Sequence, residues 1–334
     1  MNTQPTFAVI GGGSWATAIV KMLTENLLEV GWYMRSVYAL EHIKNAKHNP
    51  NYLSSVEFHT EKLRLSNTMD DIVADADYVI FAIPSAFLQD ELDKLTVPLK
   101  DKIIFSAIKG IVPESSLIVG EHFHEKYGVP FHNIGVITGP CHAEEVALER
   151  LSYLTIACSD PEKANIVAKN LSSHYIKCTT SDDIIGTEYA AMLKNIFAIA
   201  AGVAHGLGYG DNFQSVLMSN SIREMKRFVK KVHKMKRNIN SSAYLGDLLV
   251  TGYSLFSRNR TFGTMIGKGY TVKSAQLEMN MIAEGYYAVK SAYELNEAKG
   301  KKKAKTPIIN AVYDILYQHK EPKEVLRLLS DKLD

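Results

Sequence analysis

FAVIGGGSWATAIVKMLTEN, residues 7–26, decides the fold. Four apolar residues run into three glycines, and the chain resumes with apolar residues at helical spacing. That order reads as strand, tight turn, helix. Gly11-x-Gly13-x-x-Ala16 matches the dinucleotide fingerprint, with alanine in its third place. In that pattern the first glycine makes the turn, the second admits a pyrophosphate to the backbone, and the third small residue lets helix and strand pack closely. The pyrophosphate would rest on the free N–H groups that open the helix. Gly11 and Gly13 are thus expected in a cofactor site.

Strand–helix alternation continues beyond this unit. LLEVGWYM (27–34), YVIFAI (78–83), KIIFSA (102–107), NIGVIT (133–138) and YLTIAC (153–158) read as buried strands. Apolar runs separated by helical patterns predict a doubly wound parallel sheet of the Rossmann type, covered on both faces, with ligands at the carboxyl ends of its strands. The end of the second strand reads the cofactor's ribose: an acid binds the 2′-hydroxyl of NAD, a base accommodates the 2′-phosphate of NADP. Between Gly31 and Leu40 there is no Asp or Glu, and Arg35 stands at the reading position, which favours NADP over NAD. Lys109 follows another strand, and TGPCHAEE (138–145) places a glycine–proline turn before a helix opening at His142.

The chain has 334 residues, enough for two domains, and its formal net charge of +2 argues for neither nucleic acid nor an anionic membrane as partner. Three cysteines, widely spaced and without a paired motif, predict free thiols and a reducing cytoplasm. No signal-peptide pattern is read at the N-terminus, and no run approaches a membrane span. His122 and His124 are read as surface residues and not as metal ligands, so no metal is expected. The basic runs KRFVKKVHKMKR (226–237) and KGKKKAK (299–305) lack interleaved aromatics and read as solvated faces.

From about Ile185 the pattern becomes helical, which divides the chain into a dinucleotide-binding domain over 1–185 and an all-helical substrate-binding and catalytic domain over 186–334. YAAMLKNIFAIAAG (189–202) carries Lys194 and Asn195 in an otherwise apolar helix. A buried ammonium needs a partner or a lowered pKa, and Asp247 of LGDLLVTG (245–252) is a candidate partner. FSRNRTFG (256–263) offers Arg258, Asn259 and Arg260 in a predicted loop, with guanidinium geometry suited to a phosphate.

VIGGGSWATA, IPS, IKGI, TGPCHAEE, LKNIFAIAAG, GLGYGDN, LGDLLVT, SRNRTFG and IAEGY, in this order along nearly the whole chain, resemble the NAD(P)-dependent glycerol-3-phosphate dehydrogenases of the bacterial type. The resemblance implies catalytic roles for Lys194, Lys109 and Asp247. It implies substrate contacts from those three and from Gly139, Cys141, Ser257, Arg258 and Asn259. Cofactor contacts are implied for Gly11, Gly13, Ser14, Trp15, Arg35, Lys109, Ala143, Arg258, Ile282 and Glu284. The sequence departs from the family at three of these regions. Ile108 and Cys141 stand where threonines are usual, and Gly252 where a cysteine is frequent.

The implied reaction is reversible hydride transfer between NADPH or NADH and C2 of dihydroxyacetone phosphate, giving sn-glycerol 3-phosphate for glycerophospholipid synthesis. Lys194 would move the proton, at a pKa that burial and Lys109 lower and Asp247 raises. Lys109 would polarise the oxygen, and Arg258 with Asn259 would hold the phosphate. A homodimer is the common state of such soluble enzymes. Competing readings are a β-hydroxyacid or 6-phosphogluconate type dehydrogenase of the same two-domain plan, and an NADP-binding sensor without catalysis. The first leaves LGDLLVT and SRNR unexplained, and the second requires a broken lysine–aspartate pair.

Overall fold

The computed structural model describes residues 4–279 and 283–334. The chain forms two compact units: residues 1–108 with 117–184, and residues 109–116 with 185–334. The second unit takes in the short segment that starts at Lys109 as well as the chain from Ile185 onward.

The first unit is built on an eight-stranded sheet. Its strands are β1 (Phe7–Ile10), β2 (Val30–Tyr33), β3 (Leu63–Ser66), β4 (Tyr78–Phe81), β5 (Ile103–Ser106), β6 (Ile134–Thr138), β7 (Ser152–Cys158) and β8 (Ile176–Ser181). In space their order is β8-β7-β6-β5-β4-β1-β2-β3. β1 lies between β2 and β4, with Ala8 opposite both Gly31 and Val79, and every residue of these three strands is buried. Full burial on both faces explains why they read as unbroken apolar runs. The six strands from β3 to β6 pair in parallel, as expected. β7, however, runs antiparallel to β6, and β8 then pairs in parallel with β7. The sheet is therefore mixed at that end. The connection between β6 and β7, residues 139–151, carries just one short helix, Ala143–Ala147. β3 and β8, both edge strands, are additions to the sequence reading.

His122 is a correction. It was expected at the surface, but it lies buried in the Val119–Tyr127 helix beside the Tyr127 ring, where burial lowers its pKa; its neighbour His124 is exposed.

The second unit is helical. Its central element, Ile184–Gly206, is long and apolar enough to cross a membrane by length and composition, yet it is almost wholly buried and serves as the core helix of the unit. It crosses the Arg258–Gly267 helix with backbone against backbone. A Cβ on Gly202 would lie 2.1 Å from Arg260 O, and one on Gly263 would lie 2.2 Å from Ile199 O. Only glycine fits at either place. Elsewhere the Glu284–Glu297 and Pro307–Tyr317 helices meet through stacked tyrosines, with the rings of Tyr293 and Tyr313 3.9 Å apart.

Candidate active site

The glycine turn of the first unit has the shape that a pyrophosphate requires. Gly11 has φ +137°, and a Cβ there would lie 2.5 Å from Ala82 O. The turn is tied to β2 twice, since Gly11 N donates to Tyr33 O at 3.0 Å and Trp32 Nε1 donates to Gly11 O at 2.7 Å. Nothing lies within 4 Å of where a Cβ on Gly13 would be. Gly13 is the N-cap of the Ser14–Asn26 helix, which has no side-chain cap and no acid in its first turn. Open space beside uncapped N–H groups at a positive helix end fits a dinucleotide pyrophosphate.

The other cofactor candidates of this unit sit near strand ends. Ser14 is buried and Trp15 half-buried in the first turn of that helix, and Ala143 opens the helix after β6. Arg35 projects just past β2 with 78% of its side chain exposed. Gly139, at φ +117°, brings the chain against the next strand, where a Cβ would lie 2.8 Å from Tyr153 O; Cys141 is buried two residues on. Ile108 is buried, so the hydroxyl usual at that position is replaced by core packing.

In the second unit Lys194 and Asp247 meet. Lys194 Nζ donates to Asp247 Oδ1, and both side chains are nearly inaccessible. Burial pushes the Lys194 ammonium down to about 8; Asp247 opposes this and nearby Lys109 adds to it. Asp247 stands at the start of the Asp247–Tyr253 helix, immediately after a single π-helical stretch, Ser242–Gly246. Such bulges reorient the residues that follow them and are frequent at functional sites. Lys109 is held through its backbone, since Asn195 Nδ2 donates to its carbonyl at 3.0 Å. Lysine 194 and its neighbour in sequence therefore fix the aspartate and the second lysine respectively. The sequence reading gave Asn195 no role of its own.

The phosphate candidates are corrected in one respect. Arg258 and Asn259 lie not in a loop but in the first turn of the Arg258–Gly267 helix, which Ser257 caps by accepting from Arg260 N at 3.3 Å. Asn259 Oδ1 accepts from Gly285 N at 2.9 Å, leaving the amide's two donors to face other groups. Gly285 also packs tightly against the helix that bears Lys194, since a Cβ on it would lie 2.6 Å from Asn195 O. Glu284 is half-buried at the start of the next helix, and Ile282 lies outside the described residues. At Gly252 a Cβ would lie 2.6 Å from Met218 Sδ, so the methionine takes the space a larger residue would need.

The family model for the N-terminal part of NAD-dependent glycerol-3-phosphate dehydrogenase matches residues 6–164, and that for the C-terminal part matches residues 183–327. The chain is 33% identical over 322 residues to the glycerol-3-phosphate dehydrogenase [NAD(P)+] of Chlorobium limicola, covering 96% of this chain and 95% of that one. It is 32% identical to the protein of the same name from Streptococcus sanguinis, covering 96% and 93%. Among solved structures, the glycerol-3-phosphate dehydrogenase of Coxiella burnetii superimposes with a TM-score of 0.88 at 25% identity, covering 98% of each chain.

Proposed function

The chain belongs to the NAD-dependent glycerol-3-phosphate dehydrogenase family and is an NAD(P)-dependent oxidoreductase, and on that premise we propose how its own residues divide the work. The substrate pair is dihydroxyacetone phosphate and sn-glycerol 3-phosphate. The nicotinamide cofactor, when bound, supplies or accepts the hydride at C2. The buried Lys194–Asp247 pair carries the reading. An ammonium with its pKa near 8 can give a proton to a nascent alkoxide and take it back in the reverse direction. Lys109 adds positive charge toward the substrate oxygen, and Asn195 holds the backbone from which that lysine extends. Arg258 and the free amide donors of Asn259, at a helix N-terminus, suit a dianionic phosphate.

Gly11, Gly13, Ser14, Trp15 and Ala143 hold the dinucleotide, with Lys109, Arg258, Ile282 and Glu284 as further cofactor contacts and Gly139, Cys141 and Ser257 bordering the substrate. Arg35 leads us to propose that NADP is accepted, and favoured, through its 2′-phosphate. We place the protein in the cytoplasm as a homodimer; three cysteines that form no disulfide with one another suit a reducing compartment. The β-hydroxyacid and 6-phosphogluconate readings gain no support. A sensor without catalysis would have no use for an intact lysine–aspartate pair.

The test follows loss of reduced cofactor spectrophotometrically. Dihydroxyacetone phosphate should be reduced efficiently, and unphosphorylated dihydroxyacetone should be nearly inert even at saturating cofactor, because the phosphate's binding energy also orients the ketone. Equal rates with both ketones would sink the phosphate-handle assignment.

A further inference from the structure

Beside Arg35 lies a carboxylate that comes from elsewhere in the chain, for there is no Asp or Glu between Gly31 and Leu40. Arg35 Nη1 is 3.9 Å from Glu91 Oε1, and Glu91 comes from the Leu88–Leu92 helix that follows β4. The Glu91 side chain is only 7% exposed. Both of its oxygens are engaged: the Tyr33 hydroxyl donates to Oε2 at 2.5 Å, and Lys94 Nζ donates to Oε1 at 2.6 Å. Burial alone would raise its pKa, but Lys94, the Tyr33 hydroxyl and Arg35 outweigh burial and hold the carboxyl below the usual range. Tyr33 is the last residue of β2, and its carbonyl receives the Gly11 N–H. A charged carboxylate is thus fixed beside the exposed arginine, one residue pair away from the glycine turn.

This position discriminates the two nicotinamide dinucleotides, which differ there by a phosphate on the adenosine ribose. A free guanidinium would pair fully with that phosphate. A guanidinium already facing a carboxylate gives up part of the pairing, and the phosphate also meets a like charge. We infer that Glu91 sets the cofactor discrimination of this site, acting through Arg35 to hold back the preference for a 2′-phosphate. Glu91 is a positioning residue in this scheme. The inference rests on the proposed role of Arg35 as reader of the ribose.

Adenosine 2′,5′-bisphosphate and 5′-AMP isolate the reading position from catalysis, and calorimetric titration of the full-length protein measures both. Glu91→Gln keeps the side chain's shape and an acceptor for Tyr33. It should tighten the bisphosphate about fivefold, the worth of a partly exposed ion pair, and leave 5′-AMP within about twofold. Glu91→Asp, which keeps the charge, should behave as the wild type, whereas a residue needed only for packing would be disturbed by shortening as well. In an Arg35→Ala background the gain from Glu91→Gln should vanish. Three results overturn the inference: no gain for the bisphosphate, an equal gain for both ligands, or a gain that persists in full without Arg35. If Arg35→Ala fails to weaken the bisphosphate relative to 5′-AMP, the reading of Arg35 fails and takes the inference with it. If Arg35→Ala matters and Glu91→Gln does not, the inference alone is lost.

Discussion

Asp247→Asn isolates the electrostatics of the proposed proton donor. The amide keeps an acceptor oxygen for Lys194 Nζ and removes the negative charge that holds the ammonium up against burial and Lys109. A unit charge at about 4 Å through an effective dielectric of ~20 is worth ~4 kcal/mol, or about three pKa units. Relaxation of the site and entry of water reduce that, and a fall of about two units is the working expectation. Lys194, at about 8 in the wild type, would then titrate near ~6. At neutral pH the protonated fraction drops from roughly nine in ten to roughly one in ten. Ketone reduction, which needs the ammonium, should fall about tenfold at pH 7 from protonation alone, and further as pH rises. Alcohol oxidation needs the neutral amine, so its acid limb should move down by the same interval. Profiles of kcat/KM against pH in both directions report the free enzyme's groups and read the shift directly. If the alkaline limb of ketone reduction stays in place in the variant, Asp247 does not set the pKa of the group that delivers the proton.

Three further perturbations bear on separate parts of the molecule. Arg258→Ala should cost about one to two decades in kcat/KM for dihydroxyacetone phosphate and little for the unphosphorylated ketone, the worth of a charge-assisted contact; calorimetric NADPH affinity in the same variant separates a cofactor contact from a substrate one. Glu224 is buried and accepts from Ile308 N and Ile309 N, both at 2.9 Å, and burial raises its carboxyl to about 7, although those two bonds oppose the rise. Its folded pKa thus exceeds its unfolded value, so the native state binds the extra proton. Stability should fall as pH rises from about 4.5 to about 7, by up to ~3 kcal/mol, and stay lowered above that window. Glu224→Gln should flatten this slope in thermal unfolding followed at both ends of the window, and an unchanged slope would remove Glu224 as its source. Gly202→Ala should destabilise by about 1–3 kcal/mol, because its Cβ would push on Arg260 O and the two helices must part; an unaltered melting temperature would show that the crossing tolerates separation.

What could be read from the sequence followed burial. The central strands β1, β4 and β6 are buried throughout and appear as apolar runs that need no context. The edge strands β3 (LRLS) and β8 (IKCTTS) are half-covered and carry polar residues, so nothing in their composition separates them from loops. Lys194 and Asp247 were legible for the opposite reason: charges in apolar surroundings demand partners, and few partners were on offer. Glu91 was not, because its relation to Arg35 depends on strand β4 lying beside β1, which in turn lies beside β2.

The misplacement of Arg258 and Asn259 in a loop has a more specific cause. RNRTFGTMIG is a poor helix by propensity, with two glycines that each cost about 1 kcal/mol relative to alanine. Propensity loses here to packing. Gly263 and Gly267 stand four apart on one helix, Gly202 and Gly206 four apart on the other, and each pair lies on one face at that spacing. A Cβ on any of the four would lie within 2.4 Å of a carbonyl oxygen of the facing helix. The four glycines are one feature written in two places, and they let the helix bearing Arg258 and Asn259 at its first turn lie directly on the helix bearing Lys194 and Asn195. A search for paired G-x-x-x-G spacings in GVAHG and GTMIG would have found the helix that propensity concealed. The same residues that weaken that helix in isolation fix the distance between the proposed phosphate handle and the proposed proton donor.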